Sequence, residues 1–303
     1  VKLLFTVGSA HDPAGKEGLA ALTAAMIAEG GSREHRADAI RRALFPMAAA
    51  FSGQVDREMT VCTARVHRDT WRPFADLVLP LLLDPGWREE DFARLRDAQR
   101  NALIQDLRSN NEEELGKERL QWNVFAGTPY AHPVPGTVAG LDAITLDDVR
   151  AFAARHYVRA NLSIGAAGAV SEALTRRVRS ALERLPAGPA TPAPDIAVSR
   201  RPGLRVELIQ KDTRATAISL GHPIDVTRRH PDFAALWLAR TWLGEHRSSV
   251  SHLYQRLREI RGLNYGDYAY IEAFPGGMFS FFPDANRARH HQLFEIWIRP
   301  VAP

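Results

Sequence analysis

The sequence predicts an α+β protein built from two homologous sheet-plus-helices domains, joined by a proline-rich linker and with the second domain incomplete. Three observations lead there. Strand-like and helical segments come in runs rather than in strict alternation, which favours sheets with helices packed on one face over a doubly wound α/β fold. The same order of elements occurs twice along the chain. Between the two copies Pro186, Pro189, Pro192, Pro194 and Pro202 follow in quick succession, a run that holds neither a helix nor a central strand and reads as an extended connection. The expected divisions are therefore a first domain over residues 1–185, a linker over 186–203 and a second, truncated domain over 204–303.

In the first copy a strand is expected over residues 3–8 and an apolar helix over 19–28, then a helix over 37–44, a strand-like run over 50–66 and a helix over 72–83 that stops at Asp84-Pro85. A long helical stretch over 89–125 follows, broken by Gly127-Thr128-Pro129. Thr145-Leu146-Asp147-Asp148 has the form of a capping box and opens a helix that runs to His156. A strand over 161–168 and a helix over 172–185 complete the copy. The second copy repeats the beginning: a strand over 215–221, helices over 233–243 and 251–260, a strand-like run over 264–282 and a helix over 288–298. Measured against the first copy, on the order of 100 further residues are expected beyond its end. The start at Val1 rather than Met points to missing sequence there too, and any targeting signal with it.

Composition narrows the classes of function. The chain has 303 residues, 45% of them hydrophobic, enough for a substantial core. Its net charge of +4 comes from 39 basic and 35 acidic residues that are interleaved, without a basic stripe carrying aromatics, so nucleic acid is not expected as a partner. Clusters such as Arg176-Arg177-Val178-Arg179 read as solvated helix faces. The single cysteine, Cys62, excludes an internal disulfide and a multi-cysteine metal site. No apolar run reaches the ~18 residues of a membrane span; the longest, residues 77–83, contains Pro80.

One segment carries a recognisable chemical pattern by what it lacks. Gly18-Leu19-Ala20-Ala21-Leu22-Thr23-Ala24-Ala25-Met26, followed by Glu29-Gly30-Gly31-Ser32, resembles the inverted zinc-binding helix of the insulinase/pitrilysin (peptidase M16) family, whose pattern runs Gly-Leu-Ala-His-x-x-Glu-His-Met. Positions 21 and 25 lie one helical turn apart on a shared face, where two histidines would grip one zinc ion. An acid at 24 would activate the metal-bound water. Here Ala21, Ala24 and Ala25 stand at those positions, and alanine neither ligates a metal nor accepts a proton. The family's third ligand, a glutamate, aligns with Asp106, one methylene shorter. One carboxylate does not hold a catalytic zinc that takes three protein ligands, so no cofactor is expected. Scattered histidines offer no replacement: His11, His132 and His246 sit in loop contexts, and the adjacent His290 and His291 would point about 100° apart on a helix.

A second segment, residues 253–266, resembles the family's second-domain motif, in which an arginine and a tyrosine seven positions later face the zinc site and bind substrate. The matching pair is Arg258 and Tyr265. Gly262 is suited to end the helix at C′, leaving Arg258 in its last turn and Tyr265 at the start of a strand. Asp12-Pro13-Ala14-Gly15-Lys16-Glu17-Gly18, Thr128-Pro129-Tyr130-Ala131-His132-Pro133 and His156-Tyr157 with Asn161-Leu162 also look like insulinase-family segments. The resemblance implies a metallopeptidase homologue that is inactive alone. One half-site is lost and the other kept, as in a non-catalytic subunit that lends Arg258 and Tyr265 to a zinc-bearing homologous partner acting on peptides. Two alternatives stand beside it, a solitary peptide-binding or scaffold protein and a zinc peptidase with unrecognised ligands. The sequence fixes no compartment; bacterial relatives of this kind favour the periplasm over the cytoplasm.

Overall fold

The computed structural model describes residues 1–198, 202–213, 216–245, 248–264, 266–272 and 289–301. It is α+β, as the runs of elements predict, and forms two compact units. The first comprises residues 1–103 and 132–195, the second residues 104–131 and 196–303.

The first unit is a four-stranded antiparallel sheet in the order β2-β3-β1-β4, with β1 (Lys2–Phe5), β2 (Ala50–Val55), β3 (Thr60–Arg65) and β4 (Leu162–Gly165). Alternation sorts its faces: Leu3, Phe5, Thr60 and Cys62 are buried on one side, while Lys2, Ser52 and Gln54 on the other are exposed. Helix α1 (Leu19–Glu29) packs on β2, and α3 (Trp71–Leu83) with α2 (Ala37–Leu44) closes a second cluster of Ile40, Phe74, Val78 and Leu81. Helices α4 (Glu89–Asn101) and α7 (Leu146–His156) cover the far side of α1. The capping box expected at Thr145 is present: its hydroxyl accepts the Asp148 amide at 3.2 Å, and the Asp148 carboxylate accepts the Thr145 amide at 2.9 Å. After α8 (Glu172–Leu182) residues 186–195 form neither helix nor strand and belong to this unit.

The predicted long helix is three pieces. It is α-helical to Asn101, π-helical over Ala102–Ser109, then restarts as α5 (Glu112–Val124) on an Asn111 cap. The π turn is marked by the Asn110 amide reaching back to the Gln105 carbonyl at 3.0 Å. Residues 104–131, assigned from sequence to the first domain, group with the second unit, where α5 packs on the second sheet. The short α6 (Val138–Ala143) returns to the first.

The second sheet has the order β5-β7-β6, with β5 (Thr216–Ile224), β6 (Asp267–Tyr270) and β7 (Gln292–Val301), all antiparallel. This corrects the expectation of a helix over 288–298. Leu293-Phe294-Glu295-Ile296-Trp297-Ile298 is rich in β-branched and aromatic residues, and cross-strand pairs secure it: Trp297 lies opposite Tyr268 with ring centroids 4.8 Å apart, and Phe294 stacks on His222 at 5.7 Å. The correction strengthens the repeat, because β6-β7-β5 reproduces the order β2-β3-β1 of the first sheet. Helix α9 (Phe233–Gly244) then corresponds to α1. The expected helix over 251–260 is a π-helical turn, Tyr254–Glu259. Of the strand-like run 264–282, residues 267–270 form β6, and residues 273–282 lie outside the described residues.

Candidate functional site

The site begins at the N-terminus of α1. Asp12 is buried, and its two carboxylate oxygens accept the Gly18 and Ala20 amides, each at 2.7 Å, so that it caps the helix from outside. Burial pushes its carboxyl up to about 8, against the lowering effect of those two amides. His132 stands 3.9 Å away, its Nδ1 2.9 Å from the Pro133 carbonyl, and burial lowers its pKa. Sequence reading placed His132 alone in a loop; the signal that links it to Asp12 is tertiary.

Along α1, Ala21 and Ala25 are half-buried one turn apart on the same face, and Ala24 is buried. Gly53 of edge strand β2 lies against this helix, where an added Cβ would come within 3.6 Å of the Ala24 and Ala28 methyls. The helix thus has the geometry to present two side chains at i and i+4, and what it presents is two methyl groups. Zinc does not fit this donor set. Among the described residues no group of three His, Cys, Asp or Glu side chains converges as a metal site.

Asp106 is exposed in the π-helical stretch Ala102–Ser109, within the second unit. Arg258 is half-buried in the other π-helical turn, Tyr254–Glu259. Both residues singled out in the second unit therefore sit in π-helical backbone, a rare conformation that is frequent at functional sites. Gly262 ends the Arg258 turn as expected: it has φ +64°, and its amide bonds the Arg258 carbonyl at 2.9 Å. Tyr265 lies outside the described residues. His246 does too, whereas His291 packs its ring edge-on to Tyr130 at 5.8 Å.

A further group escaped the sequence. Burial raises the Glu295 carboxyl of β7 to about 7, helped by Glu118 and Glu114 and opposed by Lys117 and Arg289.

Two antiparallel sheets thus repeat one strand order, and α1 on the first carries methyl groups at positions 21, 24 and 25. The model for the insulinase family (peptidase family M16) matches residues 1–138, and that for the peptidase M16 inactive domain matches residues 143–295. The chain belongs to the peptidase M16 family. It is 30% identical over 277 residues to an uncharacterized zinc protease of Streptomyces coelicolor, covering 88% of this chain and 58% of that protein. It is 24% identical over 269 residues to the non-peptidase homolog YmxG of Helicobacter pylori, covering 88% of this chain and 61% of that protein. Among solved structures, a peptidase M16 inactive domain from Pseudomonas fluorescens superimposes with TM-score 0.82 at 25% identity, over 99% of this chain and 68% of that one. A protease from Helicobacter pylori does so with TM-score 0.80 at 16% identity, over 100% of this chain and 68% of that one, and shows the fold alone. The chain thus spans about three fifths of the length of the two sequence relatives, at 58% and 61%.

Proposed function

We propose that this chain is a non-catalytic subunit of a two-chain peptidase. In this reading it contributes Arg258 and Tyr265 to peptide bound at the zinc of a homologous partner. The observation that carries the reading is the composition of α1: the helix keeps its place against β2 and its Asp12 cap, yet offers only the methyl groups of Ala21, Ala24 and Ala25. A helix kept in place without its donors fits a chain retained for something other than metal chemistry. The match to an inactive domain and the likeness to a non-peptidase homolog support it. Arg258 and Tyr265 would donate hydrogen bonds to the scissile carbonyl oxygen as it gains negative charge.

A second reading is favoured by one feature. Strand β2 is the outer strand of its sheet, and Ser52, Gly53 and Gln54 along it are exposed. Such an edge can take an extended peptide as an added strand, which suits a solitary peptide-binding protein. Mixing the chain with a zinc-bearing homologue from the same genome and following a fluorogenic peptide distinguishes them. The subunit reading expects a stable complex that cleaves faster than the homologue alone; no complex and no gain in rate would overturn it. The periplasm is proposed as the compartment.

A further inference from the structure

The proline-rich residues after α8 carry no ladder or helical hydrogen bonds, and yet they are fastened to the first unit at defined points. The Arg159 amide donates to the Pro186 carbonyl at 2.9 Å. Thr191 is held twice by Asn161: its amide donates to Oδ1 at 2.7 Å, and its hydroxyl accepts from Nδ2 at 2.7 Å. The hydroxyl has one proton to give, and its next neighbour is His156 Nδ1 at 2.9 Å. In the tautomer with Nδ1 unprotonated, that nitrogen accepts the hydroxyl's proton. One residue on, the Pro192 carbonyl lies 3.2 Å from His11 Nε2, while His11 Nδ1 lies 3.1 Å from the Gly8 amide and 3.3 Å from the Gly8 carbonyl.

We propose that His11 and His156 form an acid-released latch that pins residues 186–195 to the first unit. The rings of His11 and His156 lie 6.1 Å apart. Protonation of His156 removes the acceptor of the Thr191 hydroxyl. The charged or titratable groups acting on His156 are His11, from the turn before α1, and Arg155, its neighbour on α7; both oppose a positive ring. Phe152 stacks on it at 4.5 Å and adds no charge. Asp12, next to His11, has both oxygens committed to the α1 amides. From residues 186–195 the Thr191 hydroxyl lies 2.9 Å from the ring's Nδ1. Burial accordingly holds His156 down to about 4, from an ordinary value of 6.5.

The sign follows from that lowering. A ring whose docked pKa is depressed stabilises docking fully above about 6.5, and the stabilisation drains away as pH falls towards about 4. The latch holds the last residues before the chain leaves this unit at Asp195, so acid would loosen the connection while the sheet and α1 remain folded.

The test is hydrogen exchange by mass spectrometry on the whole 303-residue chain, corrected for the intrinsic pH dependence of exchange. Protection of peptides spanning 186–195 should fall by up to about tenfold per pH unit below ~6, the limit for one linked proton, while α1 stays protected. The His11→Asn/His156→Asn double variant, which lacks the His156 imidazole, should lose that dependence. A second readout that needs no variant is the His156 ring titration by NMR, with a midpoint well below 6.5 expected. PH-independent protection in the wild type, the same pH dependence in the double variant, parallel loss of protection in α1, or an unshifted His156 midpoint would each overturn the latch.

Discussion

Lys117 of α5 lies over the ring of Trp297 in β7, its Nζ 3.6 Å from the ring centroid. Trp297 is fully buried, and Tyr268 and Tyr270 flank it at 4.8 and 5.8 Å. The ammonium also bonds Glu114 at 2.6 Å and reaches Glu113 at 3.4 Å. Gly116 and Leu120 of the same helix lie against Ser219 and Gly221 of β5, small residues that let the helix come close.

This contact has two measurable consequences. Trp297→Ala should cost about 3–5 kcal/mol, and Lys117→Met about 1–3 kcal/mol, from the lost cation–π contact and the stranded Glu114. Glu295, two residues from Trp297, adds a pH term. Its folded pKa is raised from 4.5 to about 7, so its share of stability is fully present below about 4.5 and is lost as pH rises through about 7. Glu295→Gln should therefore melt higher than wild type at pH 8, by on the order of 2–3 kcal/mol, and the gap should close by pH 5. Thermal melts of the pair across that range would show it; a gap constant with pH would place the charge of Glu295 in solvent.

The zinc reading makes a different demand. With methyl groups at positions 21, 24 and 25, we expect less than one zinc per chain after purification without added metal, and no chelator-sensitive hydrolysis by the chain alone. The Ala21→His/Ala25→His variant should gain zinc-dependent thermal stability, about 2.7 kcal/mol at a hundredfold excess over its dissociation constant, because the two positions share a half-buried face of an intact helix. One tightly bound zinc in the wild type, with hydrolysis abolished by chelation, would return the chain to the active peptidases.

The parts of this molecule that were legible in the sequence are local ones. Helix α1 shows itself through a run between Gly18 and Gly30-Gly31 that is apolar apart from Thr23 and Glu29, and the Thr145 cap through its own side chain. The alanines at 21, 24 and 25 stand out because the residues around them, Gly18-Leu19-Ala20 and Met26, resemble a family motif. What escaped depends on distant partners. Glu114, Lys117 and Gln121 of α5 show no partner in the sequence, and Trp297 and Glu295 from the far end of the chain lie against this helix. Strand β7 was misread because its place in the repeat was counted from a helix, whereas its alternating Leu293, Glu295 and Trp297 mark a strand. The environment of His156 is set by residues 186–195, whose composition alone predicts a free linker.

Exposure separates the two helices that the repeat makes equivalent. Leu22, Met26 and Ile27 of α1 are buried, whereas Leu238 and Trp242 of α9 are 70% and 63% exposed. An apolar helix open to water is weakly protected by its own packing. Amides of α9 should exchange faster than those of α1 in the 303-residue chain at neutral pH, and the chain should bind an apolar dye. Equal protection of the two helices would show that α9 is as well covered as α1.

The pair Arg258 and Tyr265 decides between the subunit and solitary-binder readings. If the chain completes a partner's site, Arg258 and Tyr265 act only as charge builds on the carbonyl oxygen, so their removal should lower turnover and leave binding largely intact. Loss of one such donor costs about 10²–10³ in turnover, and Arg258→Ala or Tyr265→Phe in the reconstituted pair should fall by one to three orders of magnitude, roughly spanning that range. Arg258 is a suitable position for the test because its π-helical turn is half-buried and contains no buried residue, so truncation there removes no core side chain. Assembly, followed by gel filtration, and KM for a fluorogenic peptide should change far less than kcat. Wild-type turnover from both variants in an assembled, active pair would make the two residues structural and favour the peptide-binding reading carried by the β2 edge.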